Sequence, residues 1–139
     1  MIDKEKILSK IDEINKYLDE LDEIKPSEYE EYKNSIEKRR SCERLLQISI
    51  ETVIDTCNIL LSNLKLGIPS DEDIIFEKLY SKKVISENMR NTLKNMKGFR
   101  NILVHKYGDV NDELAFENLS KLDDFVKFKE EILAFVNKK

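Results

Sequence analysis

Residues 43–61 read ERLLQISIETVIDTCNILL. Leu45, Leu46, Ile50, Val53, Ile54, Cys57, Leu60 and Leu61 recur in this stretch at intervals of one, three and four, and Leu64 continues the series. No glycine or proline interrupts it. The period is helical, and apolar cover over most of the circumference predicts the central helix of an all-α fold. One polar stripe survives on it: Arg40, Arg44, Gln47, Glu51, Asp55 and Asn58, spaced to stay on a single face. Glu51 and Asp55 also break the most apolar run, so no membrane span is expected here.

Outward from this helix the pattern stays helical. Towards the N-terminus, Ile7, Ile11, Ile14, Leu18 and Leu21 alternate steps of four and three, the seam of a helix over about residues 4 to 24. Pro26 ends it, and Ser27 with Glu30 reads as a capping box that starts the central helix, which runs on to the stop LGIPS near Leu64. A short helix follows Ser70, with Asp73 as its S-x-x-D partner, and reaches about Tyr80. A third long helix is expected from Ser86 to His105 or Tyr107, closed by Gly108. A last one starts at Asn111 or Asp112 and carries Leu114, Leu119, Leu122, Phe125, Val126, Ile132, Leu133 and Val136. The expected architecture is an up-and-down bundle of four long helices plus a short extra one.

The chain of 139 residues has the size of one domain, taken here as residues 1–139. Charged residues make up 37% and the hydrophobic class 40%, with 3 Gly and 2 Pro, which suits long helices and few breaks. The net charge of -4 argues against a general nucleic-acid coat protein but leaves room for a local basic site. Cys42 and Cys57 have no further soft ligand nearby and so fit no metal spacing. On one helix they lie about 22 Å apart, at about 1.5 Å per residue, beyond disulfide reach. They read as reduced, packed thiols, and with no signal-peptide apolar region in MIDKEKILSK a cytoplasmic location is expected.

The third long helix concentrates charge. From Lys82 to Lys106 there are seven basic residues against Glu87 alone, a local +6. At about 100° per residue, Lys97, Arg90, Asn101, Lys94 and His105 fall within roughly 140° of Arg100, and Met96, Phe99, Ile102 and Leu103 take the opposite arc. Such a strip is either a site for a polyanion, with Arg90, Lys94, Lys97 and Lys106 as RNA-binding candidates, or a solvated face.

At the end of the strip, residues 98–110 read GFRNILVHKYGDV, and His105 is the only histidine in the chain. Alone, it reads more readily as a helix-end cation near the last carbonyls than as a catalyst. Together with Arg100 it can do more. A histidine moves a proton to or from a ribose hydroxyl or a leaving oxygen. An arginine binds phosphate through parallel hydrogen bonds and steadies charge in a phosphoryl transition state. Asn101, on the same face, can orient either group. The set matches metal-independent RNA cleavage, with the 2′-hydroxyl attacking its own phosphate. That reaction wants a base and an acid, and a symmetric dimer meeting along this helix supplies two histidines to one cleft. Glu51 or Asp55 of the central helix either orients Arg100 or His105 across the bundle or belongs to a solvated stripe.

RNILVHKY fits the R-x4-H-x-Y motif of HEPN-domain ribonucleases, with Arg100, His105 and Tyr107 in the fixed places and Asn101 after the arginine. The chain resembles the HepT-like branch of that superfamily from about Ile7 to Val136, through ERLLQISIETVIDTCNIL, FEKLYSKKVIS and GFRNILVHKYGDVND. The resemblance implies a HEPN-like, dimeric helical bundle with both motifs in a shared cleft, and an endoribonuclease toxin that cuts tRNA or mRNA without a metal. It implies Arg100 and His105 as catalytic residues, no cofactor of the chain's own, and a minimal nucleotidyltransferase antitoxin as partner. That partner would use ATP and Mg²⁺ to attach AMP to Tyr107, placing anionic phosphates against Arg100. The competing reading is a non-catalytic helical dimer that binds the nucleotidyltransferase or nucleic acid.

Overall fold

The structure, a computed structural model, describes residues 1–106 and 110–138, with side chains at all of these but residue 106. Its elements are α1 (Lys4–Ile24), α2 (Tyr29–Lys33), α3 (Ile36–Asn63), α4 (Glu72–Ser81), α5 (Glu87–Lys106), α6 (Asp112–Leu119) and α7 (Asp123–Asn137). All regular structure among the described residues is helical. Tyr107 and Gly108 lie outside the described residues, so the expected glycine stop of α5 and the tyrosine's surroundings are not placed.

The α1 seam behaves as its spacing predicts: Ile7, Ile11, Ile14, Leu18 and Leu21 are all buried, and α1 packs along α3. The two run antiparallel, since the Asp3 backbone N–H donates to Asn63 Oδ1 at 2.8 Å, joining the start of one to the end of the other. Antiparallel packing of α3 against α5 and α7 against both α1 and α5 closes the core. Tyr32, Phe76, Phe128 and Leu93 are fully enclosed in it.

Helix α3 is central. By length and composition alone it is apolar enough to cross a membrane, but 56% of its apolar window is buried inside the bundle. Ser49, Thr52 and Thr56 are buried among its apolar residues and donate to the carbonyls of Leu45, Ile48 and Thr52 at 2.7, 2.7 and 2.8 Å. Each hydroxyl is satisfied by its own helix, so small polar residues let neighbours approach without an orphaned donor. Cys42 and Cys57 are free and buried on this helix; burial pushes the Cys42 thiol up to about 11 and the Cys57 thiol higher still.

Three boundaries differ from the sequence expectation. Ser27 does not cap the central helix: the five-residue α2 starts after Glu28 with no side-chain cap, and α3 begins only after Ser35, whose hydroxyl accepts from Lys38 N–H at 3.2 Å. Asn34 and the extended Ser35 turn the chain there, and the turn lets Tyr32 bury completely. The cap of α4 is Asp71, one residue past Ser70, accepting from Ile74 N–H at 3.0 Å. The last helix is two helices, because Ser120 directs both its N–H and its hydroxyl to the Glu117 carbonyl, the acceptor a continuous helix would give to Lys121.

Both α3 and α4 end with a lysine in the left-handed region, Lys65 at φ 55° and Lys83 at φ 60°. Leu66 N–H reaches back to the Leu61 carbonyl at 3.0 Å and Val84 N–H to that of Leu79 at 2.9 Å, the six-to-one bond of a Schellman motif. Leu61, Leu79 and Val84 are buried and Leu66 is half-buried, the hydrophobic cover that accompanies this motif. The second of these turns docks α4 beside α5. Helix α4 is anchored by Ile75, Phe76 and Leu79, each at most 2% exposed. Burying a side chain of this size contributes about 1.5–3 kcal/mol, so α4 is a fixed wall of the bundle.

Candidate functional site

Helix α5 turns Met96, Phe99 and Leu103 into the core, with Ile102 half-buried, and carries its basic residues on the other arc as the projection predicts. That arc faces α4, which runs antiparallel to it and meets it with acids. Arg90 Nε lies 3.3 Å and Lys94 Nζ 2.9 Å from Glu77 Oε1. Lys97 Nζ lies 2.8 Å from Asp73 Oδ1, an ion pair without hydrogen-bond alignment, and Arg100 Nη2 pairs with Glu72. Arg90 also covers the Tyr80 ring, its guanidinium carbon 4.6 Å from the centroid. The hydrogen bond from Lys94, and then the charge of Arg90, hold the Glu77 carboxyl below its usual range against its own partial desolvation.

The stripe is therefore a ladder of ion pairs, and the local +6 is countered by three carboxylates that the sequence count left on another helix. The side chains of Arg90, Lys94, Lys97 and Arg100 are 21%, 37%, 23% and 15% exposed in that order. The pair of Lys94 is exposed enough to exchange readily, whereas the Arg100–Glu72 pair is the most enclosed.

Arg100 is held at two of its nitrogens. Besides the Glu72 contact, its Nε donates to Asn101 Oδ1 at 2.9 Å. Asn101, expected to serve the imidazole or a phosphate, thus spends its carbonyl oxygen on the arginine. His105 sits in the last turn of α5 and is exposed. The arrangement offers a fixed guanidinium and, about one and a half helical turns on, a solvent-facing imidazole. Tyr107 and the Lys106 side chain fall outside the described residues.

Neither proposed carboxylate of α3 reaches Arg100. Glu51 accepts from Gln47 at 3.2 Å, and Asp55 lies 3.9 Å from Lys10 of α1. The polar stripe of α3 faces away from the motif, and the acid beside Arg100 is Glu72. Sequence reading had a partial signal for the ladder, since Asp73 and Glu77 of α4 are four apart, on one helix face, with Glu72 beside Asp73.

A second charged cluster stands where α6 begins. Arg39 Nε lies 3.8 Å from Asp112 Oδ1, and Arg40 Nη1 donates to both oxygens of Glu43 at 3.2 Å. Glu43 is buried; desolvation raises its pKa, opposed by Arg40 and reinforced by Asp112. Among the described residues no three His, Cys, Asp or Glu side chains are grouped to hold a metal ion. A groove of about 640 Å³ lined by Lys82, Lys83, Phe135 and Lys138 lies at the opposite end of α5 from His105.

The chain is similar to known proteins in sequence and in fold. The chain is 29% identical over 114 residues to the tRNA nuclease HepT of Aphanizomenon flos-aquae, covering 82% of this chain and 78% of that protein. It is 33% identical over 90 residues to the mRNA nuclease HepT of Shewanella oneidensis, covering 64% and 68%. Among solved structures, the tri-AMPylated HEPN toxin of Shewanella oneidensis in complex with its MNT antitoxin superposes with a TM-score of 0.85 at 28% identity, over 96% of this chain and 99% of that one. Residues 14–132 match the Ribonuclease HepT-like family, and the chain belongs to that family.

Proposed function

We propose that the chain is a cytoplasmic endoribonuclease toxin of a two-component toxin–antitoxin module, cutting tRNA or mRNA without a metal ion. The observation that carries the proposal is the pairing of a guanidinium fixed at two nitrogens with an exposed imidazole in the last turn of the same helix. Arg100 binds the scissile phosphate and stabilises the charge that builds on it. His105 moves the proton, as base towards the 2′-hydroxyl or as acid towards the leaving 5′-oxygen. The second proton transfer needs a second histidine, supplied by a homodimer whose two α5 motifs share one cleft. Asn101 supports through Arg100. Arg90, Lys94 and Lys97 would meet RNA only by exchanging an α4 carboxylate for a phosphate, which suits weak contact better than tight binding, and Lys106 is assigned an RNA contact as well.

Control falls to a nucleotidyltransferase antitoxin that attaches AMP to Tyr107, two positions past His105. The ATP and Mg²⁺ of that step belong to the partner, and the chain itself needs no cofactor. Support comes from the related Shewanella toxin, which is tri-AMPylated and bound to an MNT antitoxin. An adenylate at Tyr107 would bring anionic phosphate to Arg100 and fill the space RNA needs.

The test is expression of the chain alone, with purified protein assayed on total tRNA and the cut ends mapped. Growth arrest and cleavage that His105→Ala abolishes are expected. Equal harmlessness of both forms would refute the toxin assignment. Co-expression with the nucleotidyltransferase should add AMP-sized mass increments that Tyr107→Phe removes.

A further inference from the structure

We infer that Glu72, the first residue of α4, is the positioning residue that presents the Arg100 guanidinium to the scissile phosphate, an assignment that rests on the ribonuclease reading above. A guanidinium is a planar fork of five N–H bonds on a side chain with several rotatable bonds. One contact leaves it free to swing; two contacts on different nitrogens fix both its place and its plane. Asn101 takes Nε and Glu72 takes Nη2, and among the described residues nothing engages Nη1. The free donors at Nη1 and the remaining Nη2 hydrogen are what a phosphate oxygen would meet.

The competing role for Glu72 is that of an internal anion that RNA must push aside. The surroundings speak for positioning. The α4 backbone under Glu72 is capped by Asp71 and anchored by Ile75, Phe76 and Leu79. The first turn of a helix favours a carboxylate. The Arg100 and Glu72 side chains, 15% and 32% exposed, are more enclosed than any other pair of the ladder. Reaching across from an anchored helix, Glu72 belongs to the frame that supports the arginine. Its cost is partial neutralisation of the cation, traded for orientation of the kind worth most in a transition state.

Steady-state cleavage of tRNA by the full chain separates the two roles. Glu72→Ala is expected to lower kcat about tenfold or more, with KM held within about threefold, since misplacing a positioned group costs the chemical step. Glu72→Gln should recover part of that loss, because its amide oxygen still accepts from Arg100 without the charge. A fall in KM at unchanged kcat would make Glu72 a competitor of the substrate and overturn the inference, as would wild-type kinetics in both variants. Nitrogen-15 NMR of Arg100 gives a readout independent of turnover: slowly rotating Nη groups in the wild type, averaged in Glu72→Ala. Averaged signals in the wild type would defeat the inference directly. Equal inactivity of wild type and His105→Ala, with slow Nη signals retained, would instead sink the ribonuclease reading, and the catalytic purpose of the clamp with it.

Discussion

Glu131 on α7 holds Ser86 at the head of α5 by two hydrogen bonds, accepting from its backbone N–H at 2.7 Å and from its hydroxyl at 2.9 Å. Ser86 Oγ in turn accepts from Met89 N–H at 3.1 Å, so one carboxylate fixes both the cap and the helix it starts. Helix α5 carries the motif at its other end, and its head is tied to α7 here.

Glu131→Ala should therefore destabilise the fold by about 1–2 kcal/mol, the scale of a lost cap with charge-assisted hydrogen bonds. Urea unfolding would show a lower midpoint at unchanged slope. In a double-mutant cycle with Ser86→Ala the two losses should be less than additive by at least about 0.5 kcal/mol. Additive losses would mean that the carboxylate and the cap act separately.

Glu43 predicts a pH dependence. Desolvation holds its carboxyl above the ordinary range despite Arg40, so the folded chain keeps this proton at a pH where the unfolded chain has released it. The contribution of the protonated group is thus complete below the unfolded pKa and is lost as pH rises through the folded one. Glu43→Gln imitates the protonated form. Its stability should exceed that of the wild type at neutral pH, and the gap should close as pH is lowered into the carboxylate range. A gap that widens on acidification would reverse the sign.

Tyr32 is fully buried, and its hydroxyl has no hydrogen-bond partner among the described residues. Its ring packs against Phe116 of α6 with centroids 5.8 Å apart. Burial, with Glu43 nearby, raises the phenol well above its usual range. Tyr32→Phe keeps the ring and removes the orphaned hydroxyl, so it should raise stability by about 1–3 kcal/mol, read as a higher thermal midpoint. A loss of stability would reveal a partner for the hydroxyl.

Periodicity made most of this legible. The α1 seam and the apolar face of α3 are buried as their spacing predicts, because a helix face is a local property of the chain. Helix ends were less so. Ser27 read as the cap of the central helix, but Ser35 serves, and the choice depends on how Tyr32 packs, a tertiary matter. Ser120 breaks the last helix through a hydroxyl contact that no pattern of apolar residues records. The site was half visible: Arg100, Asn101 and His105 share a face by arithmetic. The carboxylate beside Arg100 lies 28 positions away on another helix, and single-helix projection turned instead to Glu51 and Asp55. Counting charge along one segment likewise missed that α4 supplies the opposite sign.

That supplied sign bears on how the protein would meet a polyanion. Cations that wait in solution with mobile counterions gain free energy by releasing them when RNA arrives, and binding then weakens steeply with added salt. On α5 the counterions of Arg90, Lys94, Lys97 and Arg100 are carboxylates tethered to α4, which cannot diffuse away. Association would draw little from counterion release and respond shallowly to ionic strength.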